Sequence, residues 1–108
     1  MCDFKSWYFD DKGYIIQCMD CKNFQVCFGT TMLTLSEHNY QAFADLVFYK
    51  KETHVPMNND TAKCVILATP CKTIHSILTE PELTELYNML QDADTEMKAE
   101  QLIQLFKV

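Results

Sequence analysis

The sequence predicts an α+β fold: a mainly antiparallel sheet built from two strand–strand–helix repeats, helices on one face, and an extra C-terminal helix. Three observations carry this. Leu35-Ser36-Glu37 is followed by apolar residues at Tyr40, Phe43, Leu46 and Val47, and 43 positions later Leu78-Thr79-Glu80 is followed by Leu83, Leu86, Met89 and Leu90. Each stretch reads as a strand end, a hydroxyl N-cap and a helix with an i, i+3, i+6, i+7 apolar stripe, placing helices at about 35–50 and 78–93. Ahead of the first helix, short aromatic and β-branched runs are separated by turn residues. Between the halves, ETHVPMNNDT (52–61) loses all periodicity and contains Pro56 and Asn58-Asn59-Asp60, the signature of a linker. At 108 residues the chain is expected to be one domain, 1–108, with repeat halves of about 1–51 and 62–108.

The elements follow in order. Phe4 to Phe9 is an aromatic-rich strand, and Asp10-Asp11-Lys12-Gly13 a turn. Tyr14 to Cys18 is a second strand, with a tight two-residue connection at Met19-Asp20. Asn23 to Phe28 is a third, its Phe24, Val26 and Phe28 alternating onto one face. Gly29 interrupts, Thr31 to Leu35 is a fourth strand, and Ser36 caps a helix reaching Tyr49 or Lys51. Beyond the linker, Lys63 to Thr69 and Lys72 to Leu78 read as strands around a turn at Pro70. Thr79-Glu80-Pro81-Glu82 combines a capping box with proline in the first helical turn, the strongest local signal in the chain. That helix should end near Ala93, and Thr95 should cap a last one striped by Met97, Leu102, Ile103, Leu105 and Phe106.

Composition excludes more than it assigns. The 48% hydrophobic and 12% aromatic content is that of a folded globule. No apolar run approaches the ~18 residues of a membrane span, and the N-terminus lacks the apolar stretch of a secretory signal, so a cytoplasmic location is expected. Net charge is −6, with nine lysines and no arginine. Arginine's planar fork is the usual reader of phosphates and guanine edges, so nucleic acid is excluded as a partner, and so is a membrane. With only Gly13 and Gly29, no phosphate-cradling loop forms, which removes the common nucleotide-binding motifs. The acidic residues of the last third read as a solvated helix face.

Six cysteines (2, 18, 21, 27, 64 and 71) are expected to be reduced in a cytosolic chain. Cys18-Met19-Asp20-Cys21 alone has ligand-like spacing, and a hairpin tip carrying it resembles half of a zinc ribbon, which supplies two of four thiolates. Lys22 stands where such a knuckle usually has glycine, and there is no second Cys-x-x-Cys. A two-residue turn would set Cys18 opposite Cys21, and pairing of the first two strands would bring Cys2 near Cys21. Cys2, Cys18 and Cys21 are therefore the candidate zinc ligands, the fourth position falling to His54, His75, water or a neighbouring subunit. The alternatives are a thiol redox pair, disfavoured because such pairs normally sit at a helix N-terminus, and thiols that simply pack. A Cys64–His75 nucleophile pair is also conceivable, since both flank the hairpin around Pro70.

The run from Gly13 to Phe43 resembles a family of small uncharacterised bacterial proteins sharing a G-Y-[IV]-x-x-C-x-x-C segment, an apolar strand, F-G and a strand leading into a helix. The resemblance implies a small cytoplasmic bacterial protein without an assigned activity, and adds weight to Cys18 and Cys21 as a pair. The function expected from the residues is non-enzymatic: a module that binds a protein partner or itself, with apolar residues on both faces of its first strand (Phe4, Trp7, Tyr8, Phe9) calling for a cover or a dimer. A thiolate metal-binding protein is the competing reading.

Overall fold

The computed structural model describes residues 3–107. Its α+β chain runs β1 (Phe4–Asp10), β2 (Gly13–Cys18), β3 (Phe24–Phe28), β4 (Thr31–Leu35), α1 (Glu37–Thr53), β5 (Val65–Ala68), β6 (His75–Leu78) and α2 (Glu80–Phe106). β1 to β4 form an antiparallel meander in chain order, and β5–β6 a separate two-stranded sheet. The two halves thus differ in their sheets, four strands preceding α1 and two preceding α2. Their likeness is confined to the cap and the helix stripe.

Local chemistry explains each junction. Asp10 Oδ1 accepts the backbone N–H groups of Lys12 and Gly13 and closes the β1–β2 turn. Gly13 is required by close approach: a Cβ there would lie 2.1 Å from the Cys27 carbonyl oxygen. Gly29, at φ 59°, turns β3 into β4. Ser36 Oγ accepts from the Asn39 N–H to start α1. At α2 the capping box is complete, with Thr79 Oγ1 accepting the Glu82 N–H and Glu82 Oε1 accepting the Thr79 N–H.

The expected break near Ala93 does not occur. α2 continues unbroken to Phe106, because Ala93 is fully buried and the stripe passes straight on to Met97. The Thr95 hydroxyl donates back to the Gln91 carbonyl within the helix instead of capping a new one. At 27 residues α2 spans about 40 Å.

The core lies between the helices and one face of the meander. Ile15, Leu35, Val47, Leu67, Leu83, Met89 and Leu90 are its innermost large side chains. Phe24 stacks on Tyr40 with centroids 4.0 Å apart, joining β3 to α1. α2 lies antiparallel to β1 and is pinned at two levels, Lys12 to Glu85 at 2.6 Å and Lys5 to Glu100 at 3.3 Å. The β1–β2 turn therefore shares one end of the molecule with the start of α2. The β2–β3 turn shares the other end with its last turns. No helix among the described residues is long and apolar enough to cross a membrane.

Candidate functional site

β2 and β3 pair with Gln17 opposite Phe24 and Gly13 opposite Phe28. This register sets Asn23, not Cys21, against Cys18: the Cys18 N–H donates to the Asn23 carbonyl at 2.9 Å. The connection is four residues, Met19 to Lys22, rather than the two expected. Its closing residue is Lys22, at φ 67°, in the left-handed region where a metal knuckle usually places glycine. The Lys22 N–H returns to the Cys18 carbonyl at 2.9 Å.

The longer turn brings the cysteines together by a different route. Instead of facing each other across a ladder, Cys21 curls over Cys18 and its backbone N–H points at Cys18 Sγ, 3.4 Å away. Cys18 is buried, 1% exposed, while Cys21 is open to solvent. The N–H aimed at sulfur fixes the Cys18 side chain against the turn backbone.

Gln17 holds this turn, and the sequence reading missed it. It is buried, at 7% exposure. Its Oε1 accepts from Trp7 Nε1 at 3.1 Å and its Nε2 donates to the Lys22 carbonyl at 3.0 Å, tying β1 to the residue that closes the turn. The signal was a glutamine at an inward position of an otherwise apolar strand.

β1 approaches the turn from the other side. The β1–β2 pairing runs in one register from Tyr8 to Asp10, a bulge at Trp7 shifts it by one, and Phe4 opposes Cys18. The Asp3 carbonyl accepts the Met19 N–H at 2.7 Å, and Asp20 Oδ2 accepts the Asp3 N–H at 3.3 Å. Cys2 lies outside the described residues.

The histidines stand elsewhere. His75 lies across from Ala68 on β6 and lines a cleft with Phe28, Gly29 and Thr31, at the opposite end of β3 from the cysteine turn. His54 caps the C-terminus of α1 beside Cys64 and Glu80, at the end of the molecule where α2 begins. Neither histidine is brought to Cys18 and Cys21. Cys64 and His75 are not paired either, because the β5–β6 register runs from Val65–Leu78 to Ala68–His75 and leaves them at opposite ends of the hairpin. Cys71, exposed in the β5–β6 turn, has its thiol pulled below the usual range by hydrogen bonding to Thr73.

The edge strand β1 carries Phe4 and Phe9 at 50% and 75% exposure, and a bulge interrupts its pairing between Ser6 and Tyr8. Fold and turn together define a small α+β protein with two cysteines in the turn at one tip of its meander. The chain belongs to DUF6686, a family of unknown function, which it matches over residues 1–107. No curated protein and no solved structure matches it.

Proposed function

We propose that this protein is a small, non-enzymatic thiolate metal-binding module in which Cys18 and Cys21 hold a zinc-type ion at the β2–β3 turn. Cys2 is the third thiolate in this reading, and water or a neighbouring chain takes the fourth position. The supporting observation is the turn: the Cys21 N–H directed at Cys18 Sγ at 3.4 Å, with Lys22 in the left-handed conformation behind it. A backbone so folded is preorganised for a knuckle, and the Gln17 bridge fixes it from beneath as outer hydrogen bonds fix metal ligands elsewhere. The bound ion staples the start of the chain to the meander tip, a structural use of metal suited to a small core. Elemental analysis of reduced protein purified without chelator tests the reading. One equivalent of zinc lost on C18S/C21S supports it, and equal metal in both proteins sinks it.

A second reading, self-association, is favoured by one feature. Ile66 and Ile77 pair across β5–β6 and are 55% and 54% exposed, and neither strand carries a charged side chain. On a chain of net charge −6 this is a face where two copies meet without repulsion. Light-scattering mass separates the cases: a dimer dissociated by I66K/I77K supports it, and a monomer at every concentration removes it.

A further inference from the structure

At the opposite end of the molecule, three side chains with metal-ligand chemistry converge from three elements. His54 is the C-cap of α1, Cys64 immediately precedes β5, and Glu80 is the first residue of α2. One ligand atom of each, an imidazole nitrogen, the thiol sulfur and a carboxylate oxygen, lies within 4.8 Å of the other two. All three residues are partly buried. We propose that His54, Cys64 and Glu80 form a second metal site, taking a borderline divalent cation of the zinc or cobalt class with one coordination position open.

Four observations carry this beyond coincidence of position. The first is the state of His54 Nε2. It is buried and makes no hydrogen bond among the described residues, while Glu80 Oε2 lies 3.3 Å away. A buried ring nitrogen without a partner is costly, and a cation between nitrogen and carboxylate satisfies both. The second is the orientation of Glu80. Its Oε1 accepts the Met57 N–H at 2.9 Å, which leaves Oε2 turned toward His54. That arrangement fixes a ligating carboxylate through its second oxygen. The third is the setting of Cys64, whose neighbour Lys63 is engaged by Glu82 at 2.6 Å. The fourth is size: bonds of about 2.0–2.3 Å in a tetrahedron set ligand atoms about 3.3–3.8 Å apart, so small side-chain rotations close the site around an ion.

The donor set narrows the cation. One thiolate, one imidazole and one carboxylate suit zinc and cobalt rather than magnesium or calcium, which take oxygen alone. Three protein ligands with an open position is the arrangement that lets a metal carry water or a small anionic ligand. The ion would clamp the end of α1, the start of β5 and the start of α2 around the 55–63 connection.

The site is independent of the Cys18–Cys21 knuckle, and the test keeps them apart. Full-length chain, reduced and stripped of metal, is titrated with Co(II) alone while thiolate-to-cobalt charge-transfer absorption is followed and circular dichroism verifies the fold. In the C18S/C21S background we expect one Co(II) per chain with a thiolate band, displaced by Zn(II). Adding C64S should abolish the band, and H54Q or E80Q should weaken binding at least about tenfold. A folded C18S/C21S protein with no thiolate band overturns the proposal, as does a band that survives C64S. If C18S/C21S does not fold, single variants in the wild-type chain decide: C64S must bind one Co(II) fewer than wild type and H54Q must bind one of its Co(II) ions at least about tenfold more weakly, and wild-type stoichiometry in C64S overturns it. Cobalt retained in C18S/C21S but lost in C64S would support this site while refuting the knuckle.

Discussion

Gln17→Leu tests how the cysteine turn is held. Leucine is close to glutamine in volume, so the substitution removes hydrogen bonds without opening a cavity. Two bonds disappear, the 3.1 Å bond from Trp7 Nε1 and the 3.0 Å bond to the Lys22 carbonyl. At about 1 kcal/mol net each, with a further 1–2 kcal/mol for the half-buried Trp7 N–H left unpaired, the loss is about 3–4 kcal/mol. The Lys22 carbonyl sits on an exposed residue and rehydrates. Burying the leucine returns about 1–2 kcal/mol, leaving a net destabilisation of about 2 kcal/mol. Urea unfolding reads this directly, and the corresponding fall in Tm is about 8–16 °C. Trp7→Phe removes the donor together with part of the ring, and W7F/Q17L should cost less than the sum of its parts because both variants break the same bond. The same variant should weaken metal binding at the turn by about 10–100-fold, as loss of an outer hydrogen bond does at metal sites. Stability within about 0.5 kcal/mol of wild type, together with unchanged metal affinity, would refute the claim that Gln17 fixes the knuckle.

Two further outcomes follow from the fold. Gly13→Ala places a Cβ 2.1 Å from the Cys27 carbonyl oxygen, so β2 and β3 must part locally. With one or two ladder bonds strained, denaturant unfolding should show a loss of about 2–4 kcal/mol, and a change under about 0.5 kcal/mol would contradict the close approach. The Tyr8 phenol donates to Asp10 and is pushed from 10.0 up to about 12, chiefly by that bond. Because the folded form holds the proton more tightly, this contribution to stability is complete below about pH 10 and is lost as pH rises toward 12. Tyr8→Phe should therefore flatten the alkaline fall in stability over that window, and identical pH profiles would show that the bond contributes nothing.

What the sequence revealed depends on the range of the interaction involved. Both N-caps are local, and Ser36 and Thr79 act as their neighbours predict. The turn after Cys18 was read as two residues because Met19-Asp20 follows an apolar strand. The longer turn depends on Lys22 accepting a left-handed conformation, which no glycine announces. The bulge at Trp7 likewise has no glycine or proline to mark it, and it moved Phe4 opposite Cys18. Thr95 precedes an apolar stripe as a cap would, yet buried Ala93 and partly buried Met97 lie on one continuous stripe that keeps the helix intact. The meeting of His54, Cys64 and Glu80 was out of reach, because it joins the end of α1 to the start of α2 across 26 residues with no shared periodicity. Cys18 and Cys21 were legible as a pair from spacing alone. Their geometry was not.

The most direct test of the account is zinc content, measured on untagged, reduced protein purified without chelator, beside the C18S/C21S variant and with accessible thiols counted in each. The account predicts that wild type carries one equivalent more than the variant, and that the exposed Cys21 resists alkylation until the metal is removed. Equal zinc in the two proteins, with Cys21 modified as fast as the exposed Cys71, would contradict it.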